Sequence, residues 1–155
     1  MAALSDRITS DMVAAMKSGD VVTRDTLRMV IAAYRNEQVA GKAKQELDDA
    51  TELRLLTKEV AKRRESSEIY STNGRPELAA KEEAEIEVLQ RYLPTALTDS
   101  ELDAIVAEEV SAAAASTGAA PTMKQMGLVI KAVNARAAGR AEGAKVAAKV
   151  KAALA

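Results

Sequence analysis

The stretch PELAAKEEAEIEVLQRYLP, residues 76–94, decides the fold. Pro76 suits the first position of a helix, where a missing N–H costs nothing. Leu78, Glu82, Glu85, Ile86, Leu89 and then Tyr92-Leu93 follow at helical spacing, and Pro94 stops the run. The intervening Ala, Glu, Lys and Gln are strong helix formers, so spacing and propensity agree. The rest of the chain obeys the same pattern.

Upstream, Asp49 with Glu52 three residues later reads as a capping box. It opens a long helix whose buried face is Leu53, Leu56 and Val60, and which ends near Asn73-Gly74. A helix from about Val22 to Ala40 precedes it, with Leu27, Val30, Ile31 and Tyr34 inward and Arg24, Arg28 and Arg35 flanking that stripe. The first helix places Leu4, Ile8, Met12 and Met16 in one stripe, with Ser5 as N-cap and Gly19 at its stop.

Downstream of Pro94 the composition changes. Thr98 and Glu101 form a capping box, with a hydrophobic staple between Leu97 and Leu102. Ile105, Val106 and Val110 carry that helix to about Ser116. Pro121-Thr122 opens the next, with Gln125 completing a second box before Met126, Val129, Ile130 and Val133. Gly139 to Gly143 turns the chain into a last helix bearing Val146, Val150 and Leu154. The expected fold is all-α: about four helices in an N-terminal domain, residues 1–94, and three short ones in a C-terminal domain, residues 95–155.

The composition supports this. Of 155 residues 48% are hydrophobic, yet there is no Phe or Trp and only three Tyr. Alanine buries little surface, so the core falls to Leu, Ile, Val and Met stripes on several helices. The absence of Cys and His removes thiol nucleophiles, Cys/His zinc sites and the Ser-His-Asp triad. The segment Met1 to Met16 is charged every few residues, unlike a signal peptide. No run approaches the roughly 18 apolar residues that a membrane span needs. A cytoplasmic location is expected, with no membrane partner.

Two acidic and basic patterns are candidates for chemistry. Glu82 and Glu85 lie on one stripe and suit either a paired-carboxylate or Mg²⁺ site, or ion pairs with Arg63, Arg64 or the Arg24/Arg28/Arg35 row. Without His or a second carboxylate motif, ion pairing is the favoured reading. Serines sit in or at the start of helices, and neither a phosphate loop nor a Gly-x-Gly-x-x-Gly motif occurs. No catalytic residue, cofactor or metal is expected.

Charge distribution points to binding. Pro94 to Ala120 holds five acids and no base, whereas Pro121 onward holds seven bases against Glu142 alone, a net +6. Such a tail suits a polyanion, or else is a solvated face that offsets the acidic segment. Candidate RNA contacts are Lys124, Lys131, Arg136, Arg140 and Lys145, with Gly139 and Gly143 letting backbone N–H groups approach a phosphate at a helix start. A second candidate face is Arg54, Lys58 and Lys62, beside Arg63 and Arg64; a solvated row with Glu partners is the stronger reading there. The scarcity of aromatics argues against base stacking, so contacts would go to phosphates and to RNA shape. No DNA partner is expected.

Several of these segments occur together in one family. Glu59-Val-Ala-Lys-Arg-Arg-Glu-Ser-Ser, Gly74-Arg-Pro-Glu-Leu, Glu82 to Pro94 and Leu97-Thr98 resemble the signature of the YqeY-like proteins. Met126-Gly127 to Gly143 and Val146 are similar to that family's ending and to the tail domain of GatB, a subunit of the tRNA-dependent amidotransferase. The resemblance runs from about Leu4 to Leu154. It implies a non-catalytic tRNA-binding or amidotransferase-related accessory protein, with tRNA and an aminoacyl-tRNA or amidotransferase component as partners. The family association with glutamine-dependent carbon–nitrogen ligase activity would then need partner subunits, because the GatB kinase-like cradle has no counterpart here. Two departures bear on RNA contacts: Glu142 stands where Asp or Asn is common, and Asn134-Ala-Arg136 replaces a more lysine-rich stretch. The other reading is a protein-interaction module docking on a helical partner.

Overall fold

Glycine and proline punctuate the chain into helices of modest length. The computed structural model describes residues 3–155, so residues 1 and 2 of the expected N-terminal domain and signal-peptide reading lie outside the described residues. The α-helices are α1 (Ala3–Ser18), α2 (Val21–Val39), α3 (Asp49–Thr72), α4 (Pro76–Gln90), α5 (Asp99–Thr117), α6 (Met126–Ala137) and α7 (Gly143–Leu154), with one 3-10 turn, Met123–Gln125. No strand occurs among the described residues, and the protein is all-α. Contacts divide it into two compact units, Met1–Leu93 and Pro94–Ala155.

In the first unit α3 and α4 pack along each other, α1 lies on α2, and α4 also meets α2. The core is Ile8, Leu27, Val30, Tyr34, Leu55, Leu56, Val60, Ile86, Val88, Leu89 and Tyr92. Met16 is not part of it. It is half-exposed, and Ala15 is buried in its place. Four-residue steps overshoot a 3.6-residue turn by about 40° each, so a stripe spaced by fours rotates off the core after three steps. On α4 the buried face is wider than expected and takes in Val88, because that helix packs on both α2 and α3. The helix ends at Gln90, so Tyr92 and Leu93 reach inward from the turn beyond it rather than from the helix.

Two expected caps are replaced. Asp48, not Asp49, caps α3, accepting a 2.8 Å bond from the Thr51 N–H. That frees Glu52 for another task. It is 3% exposed, and its Oε2 accepts the Ser5 N–H at 3.0 Å, in the first turn of α1. Ser5 is therefore inside α1 rather than its N-cap, and an acid from α3 satisfies the orphan donor. Tyr34 is tied to the same turn of α3: its hydroxyl donates to the Glu52 carbonyl at 3.1 Å. Burial and the nearby Glu52 push that phenol well above its ordinary range.

The second unit is a three-helix cluster in which α5, α6 and α7 each touch the other two. Leu102, Val106, Val129, Val133, Val146 and Val150 form its core. The Thr98–Glu101 box is present, with Glu101 N–H to Thr98 Oγ1 at 3.1 Å and Thr98 N–H to Glu101 Oε2 at 2.9 Å. Leu97 packs against the same core as Leu102, as a staple requires. The Thr122–Gln125 box also forms, but it opens the 3-10 turn that leads into α6. Gly118 ends α5 at φ 72°, a conformation that glycine adopts without steric cost.

Candidate nucleic-acid interface

The bases of α6 and α7 share a unit with the acids of α5, and most of them are paired. Arg136 Nη1 meets Glu108 Oε2 at 2.6 Å and Glu109 Oε1 at 3.3 Å. Lys145 pairs with Asp99 at 2.5 Å and Lys149 with Asp103 at 2.6 Å. These contacts hold the Asp99 carboxyl below its ordinary range and raise Arg136 and Lys149. Two of the seven candidate residues, Arg136 and Lys145, are thus already engaged by carboxylates. The sequence contained the signal: Asp99 and Asp103 are four apart, as are Lys145 and Lys149. Matched spacing of opposite charge on two helices is what a side-by-side pair with both N-termini at one end produces.

Lys124 and Lys131 are different. Both are exposed and neither forms an ion pair among the described residues. Seven residues apart, they fall near one face of α6 and its leading turn. Gly127 lies between them, exposed, with nothing within 4 Å of where a Cβ would stand. Leu128, 72% exposed, and Met123 add apolar surface beside it.

The Gly139–Gly143 turn, read from sequence as a phosphate approach, uses part of its polar groups inside the unit. Ala138 and Gly139 are both left-handed, at φ 43° and 79°, and reverse the chain after α6. The Arg140 N–H donates to the Ala137 carbonyl at 2.8 Å, and its carbonyl accepts the Leu97 N–H at 2.8 Å. The Arg140 Nε donates to the Thr95 carbonyl at 2.8 Å. Arg140 therefore latches the segment entering α5 to the turn before α7. At the start of α7, Glu142 holds the N-cap position and Gly143 is the first helical residue. A carboxylate there opposes a second anion. Arg140 thus commits its N–H and its Nε inside the unit, while the first N–H groups of α7 receive no side-chain cap.

The α3 row is likewise divided. Arg54 pairs with Glu37 at 3.0 Å and Lys62 with Glu59 at 3.4 Å, while Lys58 is exposed and forms no ion pair among the described residues; Arg64 also lies at the surface. Arg63 does not belong to this face. It is 5% exposed, with Nε on Glu85 Oε2 at 2.8 Å and Nη1 on Glu59 Oε2 at 2.8 Å. Its position falls on the core side of α3, where Val60 and Ser67 are also buried. Of the two readings of Glu82 and Glu85, ion pairing describes Glu85. No group of three or more acidic side chains able to hold a metal ion occurs among the described residues.

Fold and surface together describe an all-helical chain with charge-paired helices and exposed lysines at α6. The chain belongs to the Yqey-like protein family, whose model matches residues 5–154. Curated relatives include Altered inheritance of mitochondria protein 41, mitochondrial, from Candida glabrata, 30% identical over 86 residues. That alignment covers 56% of this chain and 47% of the relative. The protein of the same name from Saccharomyces cerevisiae strain S288c is 27% identical over 96 residues, 62% of this chain and 51% of its own. The one from Lachancea thermotolerans is 30% identical over 102 residues, 64% and 54% of the two chains. The chain thus spans about half the length of the curated relatives it matches.

Proposed function

We propose that the chain is a non-catalytic accessory protein that binds tRNA through the outer face of α6. One observation carries this reading: Lys124 and Lys131 are exposed and unpaired on either side of an open glycine. A sugar–phosphate backbone can approach a bare Gly127 closely while two ammonium groups meet successive phosphates. The resemblance to the GatB tail supports tRNA as the RNA. Arg136, Arg140 and Lys145 then act within the unit, holding the helices that present α6. With about two phosphate contacts, log affinity should fall with log salt at a slope near ~−2, shallower than a +6 tail implies. A tRNA titration at rising salt tests it. Lys124→Glu with Lys131→Glu should abolish that slope and the binding; unchanged affinity would remove α6 as the site.

A second reading has its own observation. Leu128 and Met123 are exposed apolar residues on the same helix and turn, as a helical protein partner would use. Recovery of one stoichiometric protein, free of nucleic-acid absorbance and lost in Leu128→Asp, would favour it over RNA. Any carbon–nitrogen ligase activity would reside in a complex, since the chain offers no phosphate loop, Cys or His. Isolated chain incubated with misacylated tRNA and glutamine should release no amidated product.

A further inference from the structure

A groove of about 380 Å³ lies between α1 and α2 in the first unit. Its floor is apolar: Met12 of α1 with Ile31 and Ala32 of α2. Met12 and Ile31 are partly buried and also pack on the core. The polar walls come from α2 alone, as Arg28, Arg35 and Asn36. The volume falls at the small end of ligand sites, ~300–1,000 Å³.

The positive charge on this groove is uncompensated. The helix α2 carries three arginines, Arg24, Arg28 and Arg35, against two acids, Asp25 and Glu37. Asp25 is bonded to Arg24 at 2.7 Å, and Glu37 to Arg54 of α3 at 3.0 Å. On α1, Asp11 accepts the Tyr92 hydroxyl at 2.6 Å, and Asp6 lines a separate hollow with Thr9, Ser10 and Val13. Arg28 and Arg35 are exposed and form neither an ion pair nor a hydrogen bond among the described residues. Seven residues apart, they stand on nearly one face of α2 with a rise of about 10 Å between them. Two cations on one groove repel. Elsewhere Arg24, Arg54, Arg63, Arg75 and Arg136 each hold a carboxylate. Arg28 also borders a groove between α2 and α4. The acids there, Asp25 and Glu85, are engaged by Arg24 and Arg63, and Lys81 adds a further cation.

We propose that the groove between α1 and α2 binds an amphipathic anion, its apolar chain on Met12, Ile31 and Ala32 and its oxyanion between Arg28 and Arg35. Carboxylate and phosphate share the chemistry required, since a planar guanidinium donates paired N–H bonds to either. The Asn36 amide supplies a further donor on the same wall.

Methyl NMR on protein with labelled methionine reads Met12 directly, with Met29 on the neighbouring groove as reference. The probes are hexanoate and hexyl phosphate. Hexylammonium carries the same chain with the opposite charge, and inorganic phosphate carries the oxyanion with no chain. Saturable shifts are expected at Met12 with both amphipathic anions, with Kd on the order of 1–10 mM for ligands of this size. Several-fold tighter binding of hexyl phosphate would identify a phosphate headgroup as the source; equal or weaker binding would identify a carboxylate. Arg28→Gln with Arg35→Gln should weaken both by about tenfold or more. Ala32→Trp should fill the groove and abolish the shifts. All three residues are exposed, so the helical circular-dichroism signal should stay intact in both variants. Absence of Met12 shifts at ~50 mM probe, or shifts that survive either variant, would overturn the proposal. So would equal shifts with hexylammonium, or inorganic phosphate binding as tightly as hexyl phosphate.

Discussion

The two units solve the problem of charge in opposite ways. In the first, Arg63 is buried between Glu59 and Glu85, and Glu52 is buried to hold the start of α1. In the second, the core is six aliphatic side chains, and the ion pairs Arg136–Glu108, Lys145–Asp99 and Lys149–Asp103 lie at the surface. A buried pair is a commitment: removing one partner strands the other in a poor solvent. A surface pair leaves its survivor in water and is worth little. The first unit should therefore be brittle to charge deletion, and the second brittle only to loss of apolar volume.

Arg63→Met should be the most damaging change, costing ~3–5 kcal/mol by leaving the buried Glu85 carboxylate without its partner. Denaturant unfolding followed by hydrogen exchange on α3 and α4 would measure it. Adding Glu85→Leu should recover part of the loss; no recovery would mean that packing, not charge, dominates. Leu102→Ala comes next, at about 2–4 kcal/mol, in a core with few other side chains to collapse into the space. If its effect fell below that of a surface pair, the contrast between the units would fail. Thr98→Ala should cost ~1 kcal/mol and act on the start of α5 alone.

The smallest effect is expected from acid. Asp20 and Asp48 cap α2 and α3, and their bonds from Thr23 and Thr51 lower both carboxyls below the usual 3.8. A lowered carboxyl contributes stability that is full above the unfolded value and is lost as pH falls through the folded one. The first turns of α2 and α3 should accordingly loosen below about pH 3.8, as amide exchange there would report. The Thr98 hydroxyl does not titrate, so its bond to the Glu101 N–H should persist, although the lowered Asp99 beside it loses its Lys145 pair in the same range. Loss of the Thr98 bond in step with the Asp20 and Asp48 caps would erase this difference between the units.

Much of this was legible locally. The capping box at Thr98, glycine stops at Gly19 and Gly74, and Pro76 at the head of α4 are short-range instructions, and each stands as written; the Thr122 box forms too, at a 3-10 turn before α6. Helix number and most of each core stripe followed because 3.6-residue periodicity is a property of neighbouring residues, although Ala15 and Leu55 are buried where Met16 and Leu53 were expected. Charge was not legible in that way. Lys124 and Lys145 read alike in sequence, yet one is open and the other meets Asp99.

The sequence by itself determined the all-helical class, the punctuation of the helices and the family. The tertiary structure alone decided which charges are spent inside the fold: that Glu52 caps α1 rather than its own helix, that Arg63 is buried, and that Arg140 holds Thr95. The reason is physical. A helix start is specified by bonds spanning three or four residues, whereas an ion pair depends on which distant helix folding brings within reach.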